Sequence, residues 1–364
     1  KRSSLAPRNA LLAPRGFESR HPMSGGDRAK PAPYRVEDRS ILLPHYKRLF
    51  VEPVLPHLPV GLDPNHITHA GHLLALTALL GAVAAQGSTS KWPFLVVALL
   101  VNLYNWCDNA DGSHARRVGR CSALGEYLDH GYDLLSATYV VAIVALALGT
   151  PPFWTVAAVA VVPMAAAFTY WEQAETGVMQ LGLLNQVESV ASLTLILMLR
   201  AALGPAFGEI AIGPIPLAVL LLGAVVATAA VAILRALVRV RARGGRLLTS
   251  VPPLAFIGAL LVAVGTGALG ELAGVVAGTS VMGFHGIRQL GLRVEGRRSR
   301  FETGVLVAAF VVAGITCFHH AVAPVAGADF IVAVGAAIPF GLLALVKAVE
   351  GRRAVGRTDR GRLG

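Results

Sequence analysis

The chain has 364 residues, 54% hydrophobic and only 15% charged, with a mean hydropathy of +0.61. A soluble domain is usually about one-quarter charged, so this balance excludes an ordinary soluble enzyme and leaves a polytopic membrane protein. The net charge of +11 would fit a nucleic-acid binder in a soluble chain, but the arginines here sit between apolar segments, so topology explains them and no nucleic-acid partner is expected.

Residues 1–22 contain Gly16-Phe17-Glu18-Ser19-Arg20-His21. That stretch back-translates to codons that can hold the T-arm consensus of a tRNA gene. It is expected to be an extension added in translating the gene, with Met23 as the start; the alternative is an ordinary basic tail. No secretory signal is seen. Arginine far outnumbers lysine, and Ala, Gly and Val are abundant, which points to a GC-rich, bacterial genome. Residues 23–65 form a polar N-terminal segment. Within it, residues 37–60 mix Ile41, Leu42, Leu49 and Phe50 with Lys47, Arg48 and Glu52, and Pro44, Pro53 and Pro56 break the run. They read as a short amphipathic element on the membrane surface or as a linker.

A membrane domain is expected over 66–348. Apolar segments fall at 66–86, 92–110, 122–148, 152–172, 188–206, 216–239, 251–268, 270–288, 303–322 and 329–348. Each is near the ~20 residues a spanning helix needs. The fold class is therefore all-α, with about ten transmembrane helices. Only Gly265 and Gly267 split 251–288; one span there would leave nine. Ten is favoured because it puts Arg116, Arg117 and Arg120, the run Arg235–Arg246, Arg288–Arg300 and the basic tail 349–364 on one side. By the positive-inside rule that side is the cytoplasm of a bacterial plasma membrane. Gly270, Gly274 and Gly278 form a small-residue ridge for close helix packing, within the monomer or between protomers. Cys107, Cys121 and Cys317 have no paired spacing, so neither a disulfide framework nor a zinc site is indicated. His285, His319 and His320 read as core or interfacial histidines, or as metal or proton ligands.

The segment between the second and third spans reads DNADGSHARRVGRCSALGEYLDHGYD, residues 108–133. Each carboxylate near bilayer depth costs roughly 2.5–3.5 kcal/mol, so Asp108, Asp111, Asp129 and Asp133 together demand a bound cation. Asp108 and Asp111 share one helix face. Gly125, Asp129 and Asp133 share one face of the next helix, and the short basic loop makes the two helices antiparallel neighbours. Gly112 and Ala115 keep one turn thin for a ligand. Oxygen-only ligands suit Mg²⁺ or Mn²⁺. Arg116, one turn beyond Asp111, can hold a phosphate by a bidentate contact.

The pattern D-x2-D-G-x2-A-R-x8-G-x3-D-x3-D is complete from Asp108 to Asp133 and resembles the signature of the CDP-alcohol phosphotransferase family. Pro64-Asn65-His66-Ile67-Thr68 with Gly71 is similar to the family's PN-x-IT-x2-G, although Asn65 could be only a helix cap. The run from Ala115 to Asp133 resembles the choline/ethanolamine branch, as do Trp171-Glu172, Thr176-Gly177, Leu181-Gly182, Asn185 and Glu188. The resemblance covers about 64–190. His114 stands where that branch has Gln, and Glu175 at its His. Gln173 and Ala174 replace Glu and Tyr, and the segment Asn185-Gln186-Val187-Glu188-Ser189 is shortened.

The resemblance implies a metal-dependent transferase that moves a phospho-alcohol from a CDP-linked donor to a hydroxyl and releases CMP in phospholipid biosynthesis. Asp108, Asp111, Asp129 and Asp133 would hold Mg²⁺ or Mn²⁺, as two ions, and Asp133 would take the proton of the attacking hydroxyl. Asn65, Thr68, Asp108, Gly112, Ala115, Arg116 and Gly125 would bind the CDP donor, and Glu172, Glu175, Asn185 and Glu188 would meet the acceptor or head group. Family members are often dimers, which implies a homodimer. The leading version takes a CDP-choline- or CDP-ethanolamine-like donor to a diacylglycerol-like lipid. The motif serves equally a CDP-diacylglycerol donor with a small polar alcohol. A transporter with a midplane carboxylate site is the reading from another class, but it predicts acidic residues spread over several broken helices.

Overall fold

Each apolar segment becomes a helix because residues that start or stop one stand at its ends. The computed structural model describes residues 35–182, 185–294, 297–322 and 327–360; the expected extension at 1–22, Met23 and residues 361–364 lie outside them. A strand β1 (Arg35–Asp38) precedes a short helix α1 (Leu43–Tyr46), which widens into one π turn over Lys47–Val51. The long helices are α2 (Pro64–Ala84), α3 (Trp92–Val118), α4 (Ala123–Leu148), α5 (Pro152–Thr176), α6 (Gln186–Leu203), α7 (Leu217–Ala242), α8 (Val251–Gly265), α9 (Glu271–Val294), α10 (Thr303–Ala321) and α11 (Ala328–Arg360). The break between α8 and α9 falls where Gly265 and Gly267 placed it. Prolines occupy first turns of α2, α3, α5 and α8, where a missing N–H costs nothing.

Among the described residues, eight of these ten helices are long and apolar enough to cross a bilayer, the architecture of a multi-pass membrane protein. The two that fall outside that criterion, α3 and α9, are diluted by polar side chains: Asn105, Asp108, Asp111 and Arg116 on α3, and His285, Arg288, Gln289 and Arg293 on α9. Asn105, Asp111, His285 and Gln289 are buried in the bundle, as intramembrane polar groups usually are.

The all-α expectation holds for the membrane domain apart from two small two-stranded pairings, one of them the hairpin Ala211–Ile212 with Ile215–Pro216 before α7. β1 pairs in parallel with β2 (Val178–Leu181), Arg35 opposite Val178. A four-residue strand whose partner lies far along the chain leaves no local pattern in the sequence.

Helix α5 is the spine. In its most apolar window 61% of residues are buried, against 33% for α2, because one apolar cluster packs on it from α7 to α11 and a second from α2, α3, α4 and α6. The glycine ridge of α9 faces into the protomer. A methyl at Gly274 would lie 2.8 Å from Val156 of α5 and 3.0 Å from Val264 of α8, and one at Gly278 would meet Leu260 and Ala160. Of its two readings, the packing within the monomer is the one seen.

The basic loops do more than orient the chain. Glu172, fully buried at the end of α5, accepts from Arg239 Nε and NH2 at 2.6 Å each, with Arg243 at 3.6 Å. Glu175 accepts from Arg246, which also donates to the Ser299 carbonyl at 2.7 Å. His285 Nδ1 lies 2.8 Å from buried Glu302, with Arg288 at 3.7 Å. Removing one partner of a buried pair costs about 3–5 kcal/mol. Arg239 remains 29% exposed, so Glu172→Ala is expected to lower stability by about 2 kcal/mol, read as the shift in an unfolding curve in detergent; Glu172→Gln should cost less.

Candidate active site

The α3–α4 hairpin builds the site. Gly119, in the left-handed conformation at φ 69°, closes α3 and turns the chain. Ser122 caps α4, its hydroxyl accepting from Gly125 N at 3.0 Å. Antiparallel packing then brings Asp108 of α3 to Asp129 and Asp133 of α4, with one carboxylate oxygen from each inside a 4.8 Å cluster.

Asp111 stands beside this group in a hydrogen-bonded seat of its own. One oxygen accepts from Thr68 Oγ1 at 2.6 Å, the other from Gly112 N. Thr68 lies on α2, which packs close on α3 because Gly71 has no side chain: a methyl there would sit 2.9 Å from Cys107 Cβ. The cap of α2 is Asp63, which accepts from Asn65 N at 2.9 Å, and not Asn65. The Asn65 side chain instead lies against Gly125, where a methyl would approach its oxygen to 3.2 Å. The two sequence motifs therefore meet at that glycine. Arg116 is exposed and folds back over Gly112, where a methyl would sit 3.4 Å from its guanidinium; it donates to Ser113 Oγ at 3.2 Å. Ala115, on the same turn, is half-buried.

Sequence reading missed several neighbours. Gln186, the first residue of α6, stands beside Asp108 and donates to the Tyr104 hydroxyl at 2.9 Å. The N-terminal element is strapped across this end of the bundle: Val51 is buried against Ile67, Cys107 and Ala110, and Trp106 Nε1 donates to the Phe50 carbonyl at 2.9 Å. The strap carries Lys47 into the field of the motif. Burial pushes its ammonium pKa down and Arg116 adds to that, while Asp38, Asp108 and Asp111 oppose it. Nothing in the run 37–60 distinguishes Lys47 from Arg48 before folding. Asp108 and Asp129 also line a cleft with His72, Tyr104, Tyr132 and Ser136.

The four residues expected at an acceptor site make the following contacts within the protein. Glu172 and Glu175 hold arginines, as described. Asn185 and Glu188 form a capping box at the start of α6, and Glu188 Oε1 accepts from Ser40 Oγ, Ile41 N and Leu42 N at 2.6, 2.9 and 2.8 Å, so it anchors the strap. None of the four is among the residues lining the cleft beside the aspartates. His114 ties α3 to the loop before α2, its Nε2 3.1 Å from the Leu62 carbonyl. The His319 and His320 rings meet edge to face near the end of α10.

Residues 62–231 match the family model for CDP-alcohol phosphatidyltransferase. Just under half of the chain is thus similar to the CDP-alcohol phosphatidyltransferase family. It is 33% identical over 159 residues to cholinephosphotransferase 1 of Gallus gallus, covering 42% of this chain and 48% of the relative. It is 31% identical to that of Mus musculus, over 40% and 38% of the two chains. It is 32% identical to choline/ethanolaminephosphotransferase 1 of Saccharomyces cerevisiae, over 32% and 31%. The chain spans about half the length, or less, of the curated relatives it matches. The domain's match takes in the whole hairpin and α2, where the site's side chains meet, and stops within α7.

Close approach of α2 to α3 underlies the seat of Asp111. Gly71→Val is expected to force the two helices apart, weakening Mn²⁺ binding roughly tenfold by loss of one charged hydrogen bond and lowering the unfolding temperature; titration of Mn²⁺ by electron paramagnetic resonance checks the first.

Proposed function

We propose that the protein is a metal-dependent transferase that moves the phospho-alcohol of a CDP-linked donor to a lipid hydroxyl and releases CMP. The observation that supports this most directly is the gathering of Asp108, Asp129 and Asp133 carboxylates within 4.8 Å at the mouth of a membrane hairpin, inside a matched CDP-alcohol phosphatidyltransferase domain. Three oxygen donors at that spacing, with Asp111 beside them, fit a hard divalent cation such as Mg²⁺ or Mn²⁺. Such a cation would offset the negative charge of the donor's pyrophosphate and of departing CMP.

The remaining work belongs to the chain. Arg116 presents a planar fork to a phosphate, and Lys47 adds a second positive charge from the strap. Thin positions at Gly112 and Gly125 let the nucleotide approach the helices near Asn65, Thr68 and Ala115. Asp133 accepts the proton of the attacking hydroxyl. Its oxygen bonds to the β-phosphorus, the bond from that phosphorus to the CMP oxygen breaks, and CMP departs. The cholinephosphotransferase relatives support a CDP-choline- or CDP-ethanolamine-like donor and a diacylglycerol-like acceptor. The arginine-rich loops support a cytoplasmic active site. A homodimer belongs to the same reading, and its interface would lie elsewhere than the ridge on α9.

The test is CMP release by purified protein in lipid with diacylglycerol and either CDP-choline or CDP-ethanolamine. Release is expected with Mg²⁺ or Mn²⁺; silence with these and with CDP-diacylglycerol plus polar alcohols would sink the reading. Asp133→Asn should reduce kcat by about 10²–10⁴ and leave donor binding largely intact. Chelation with EDTA should abolish turnover, and added Mn²⁺ should restore it.

A further inference from the structure

The cleft beside the aspartates is small, about 10 Å³, room for a hydroxyl-sized group. Its polar residues stand one turn deeper in the membrane than the motif on all three helices: His72 follows Thr68 by four positions on the inward-running α2, Tyr104 precedes Asp108 by four on the outward-running α3, and Ser136 follows Asp133 by three on the inward-running α4. One helical turn is about 5 Å of depth.

Two buried polar atoms in this cleft are orphaned. Ser136 is 1% exposed, and its Oγ has no hydrogen-bond partner; it faces the Tyr104 hydroxyl without a bond of ordinary geometry. His72 Nδ1 is likewise buried and unpartnered. The His72 ring is held in place by stacking on Tyr132 at 4.2 Å, and the Tyr132 hydroxyl lies 2.8 Å from His69 Nδ1. An orphaned polar group in such a place is costly unless something completes it. Leu73, next to His72 on α2, is 61% exposed, so the same turn of α2 also presents an apolar side chain to the outside of the bundle.

A donor carrying a charged pyrophosphate belongs at the mouth, with Arg116 and Lys47. An uncharged hydroxyl at the head of a lipid belongs on the membrane side. Resting on the transferase reading above, we propose that the His72–Ser136 cleft seats the attacking hydroxyl of a lipid alcohol, with Ser136 Oγ and His72 Nδ1 as its hydrogen-bond partners. In that position the hydroxyl oxygen forms the bond to the β-phosphorus, its proton passes to the Asp133 carboxylate, and the bond to the CMP oxygen breaks with its electron pair leaving on CMP. Ser136 and His72 bind the acceptor; neither takes the proton.

The experiment compares wild type with His72→Leu and Ser136→Ala, measuring KM separately for CDP-choline and for diacylglycerol, together with unfolding temperature. The expected result is a rise of roughly five- to tenfold in the acceptor KM from loss of one hydrogen bond, with the donor KM unchanged; His72→Gln, which keeps a polar atom, should recover part of it. A rise in donor KM instead, or an unchanged acceptor KM, overturns the proposal. If wild type itself releases no CMP from any donor, the transferase reading has failed, and the cleft is then tested directly. A diacylglycerol probe with a photoreactive group near its free hydroxyl should label peptides around His72 and Ser136 in wild type and lose that labelling in both variants. Labelling elsewhere, or labelling unaffected by the substitutions, overturns the assignment even so. The labelling experiment also serves should either variant fold poorly, since wild-type labelling alone locates the probe.

Discussion

Three carboxylates held together in a membrane bundle set the terms for everything around them. Were all three ionised, any two of them, within 4.8 Å of one another, would repel by about 3–4 kcal/mol at an effective dielectric constant of 20. Hydrophobic packing cannot offset this locally, because its own contribution is spread over whole helix faces. The surroundings answer with charge and hydrogen bonds: Thr68 and Gly112 N on Asp111, Gln186 beside Asp108, and the ammonium of Lys47 nearby. A divalent cation would complete that compensation, and the same electrostatic demand would then draw in a pyrophosphate. Structure and proposed chemistry thus share one cause.

Rigidity comes from the half of the chain outside the domain match. Arg293 of α9 donates to Glu126 and lies 3.2 Å from His130 Nδ1, two residues that flank Asp129 on α4. Arg239 and Arg246 tie the end of α5 to the α7 end and the loop beyond it. Arginines first read as topological signals are therefore also fasteners, and Arg239 and Arg246 each meet a carboxylate that is fully buried. Their guanidinium forks suit the task better than ammonium groups would, which gives a physical use to the excess of arginine over lysine.

The N-terminal strap links the site to the membrane surface. Glu188 holds Ser40, Ile41 and Leu42, while Val51 is sunk among Ile67, Cys107 and Ala110. Leu49 and Phe50 stay 65% and 56% exposed, an apolar edge suited to the headgroup boundary. Lys47 lies between these anchors, so the contact that fixes the strap also fixes a positive charge near the motif. The segment is thus packed against α2, α3 and α6.

Hydropathy and spacing by themselves determined the helix count, the break at Gly265 and Gly267, and the pairing of Asp108 with Asp129 and Asp133. Those features depend on local rules: about 20 apolar residues per span, and a 3.6-residue period that puts positions three and four apart on one face. Partners distant in sequence left no such trace. Glu172, Glu175 and Glu188 look the same in a string of letters whether they meet a substrate, an arginine or the backbone of Ser40–Leu42; only packing of α5 on α7, and of the strap on α6, decided between them. The same holds for Lys47, Gln186, His72 and Ser136. Each owes its place to how helices cross, and crossing is set by side chains on both partners at once, such as Gly71 against Cys107, which no single segment encodes.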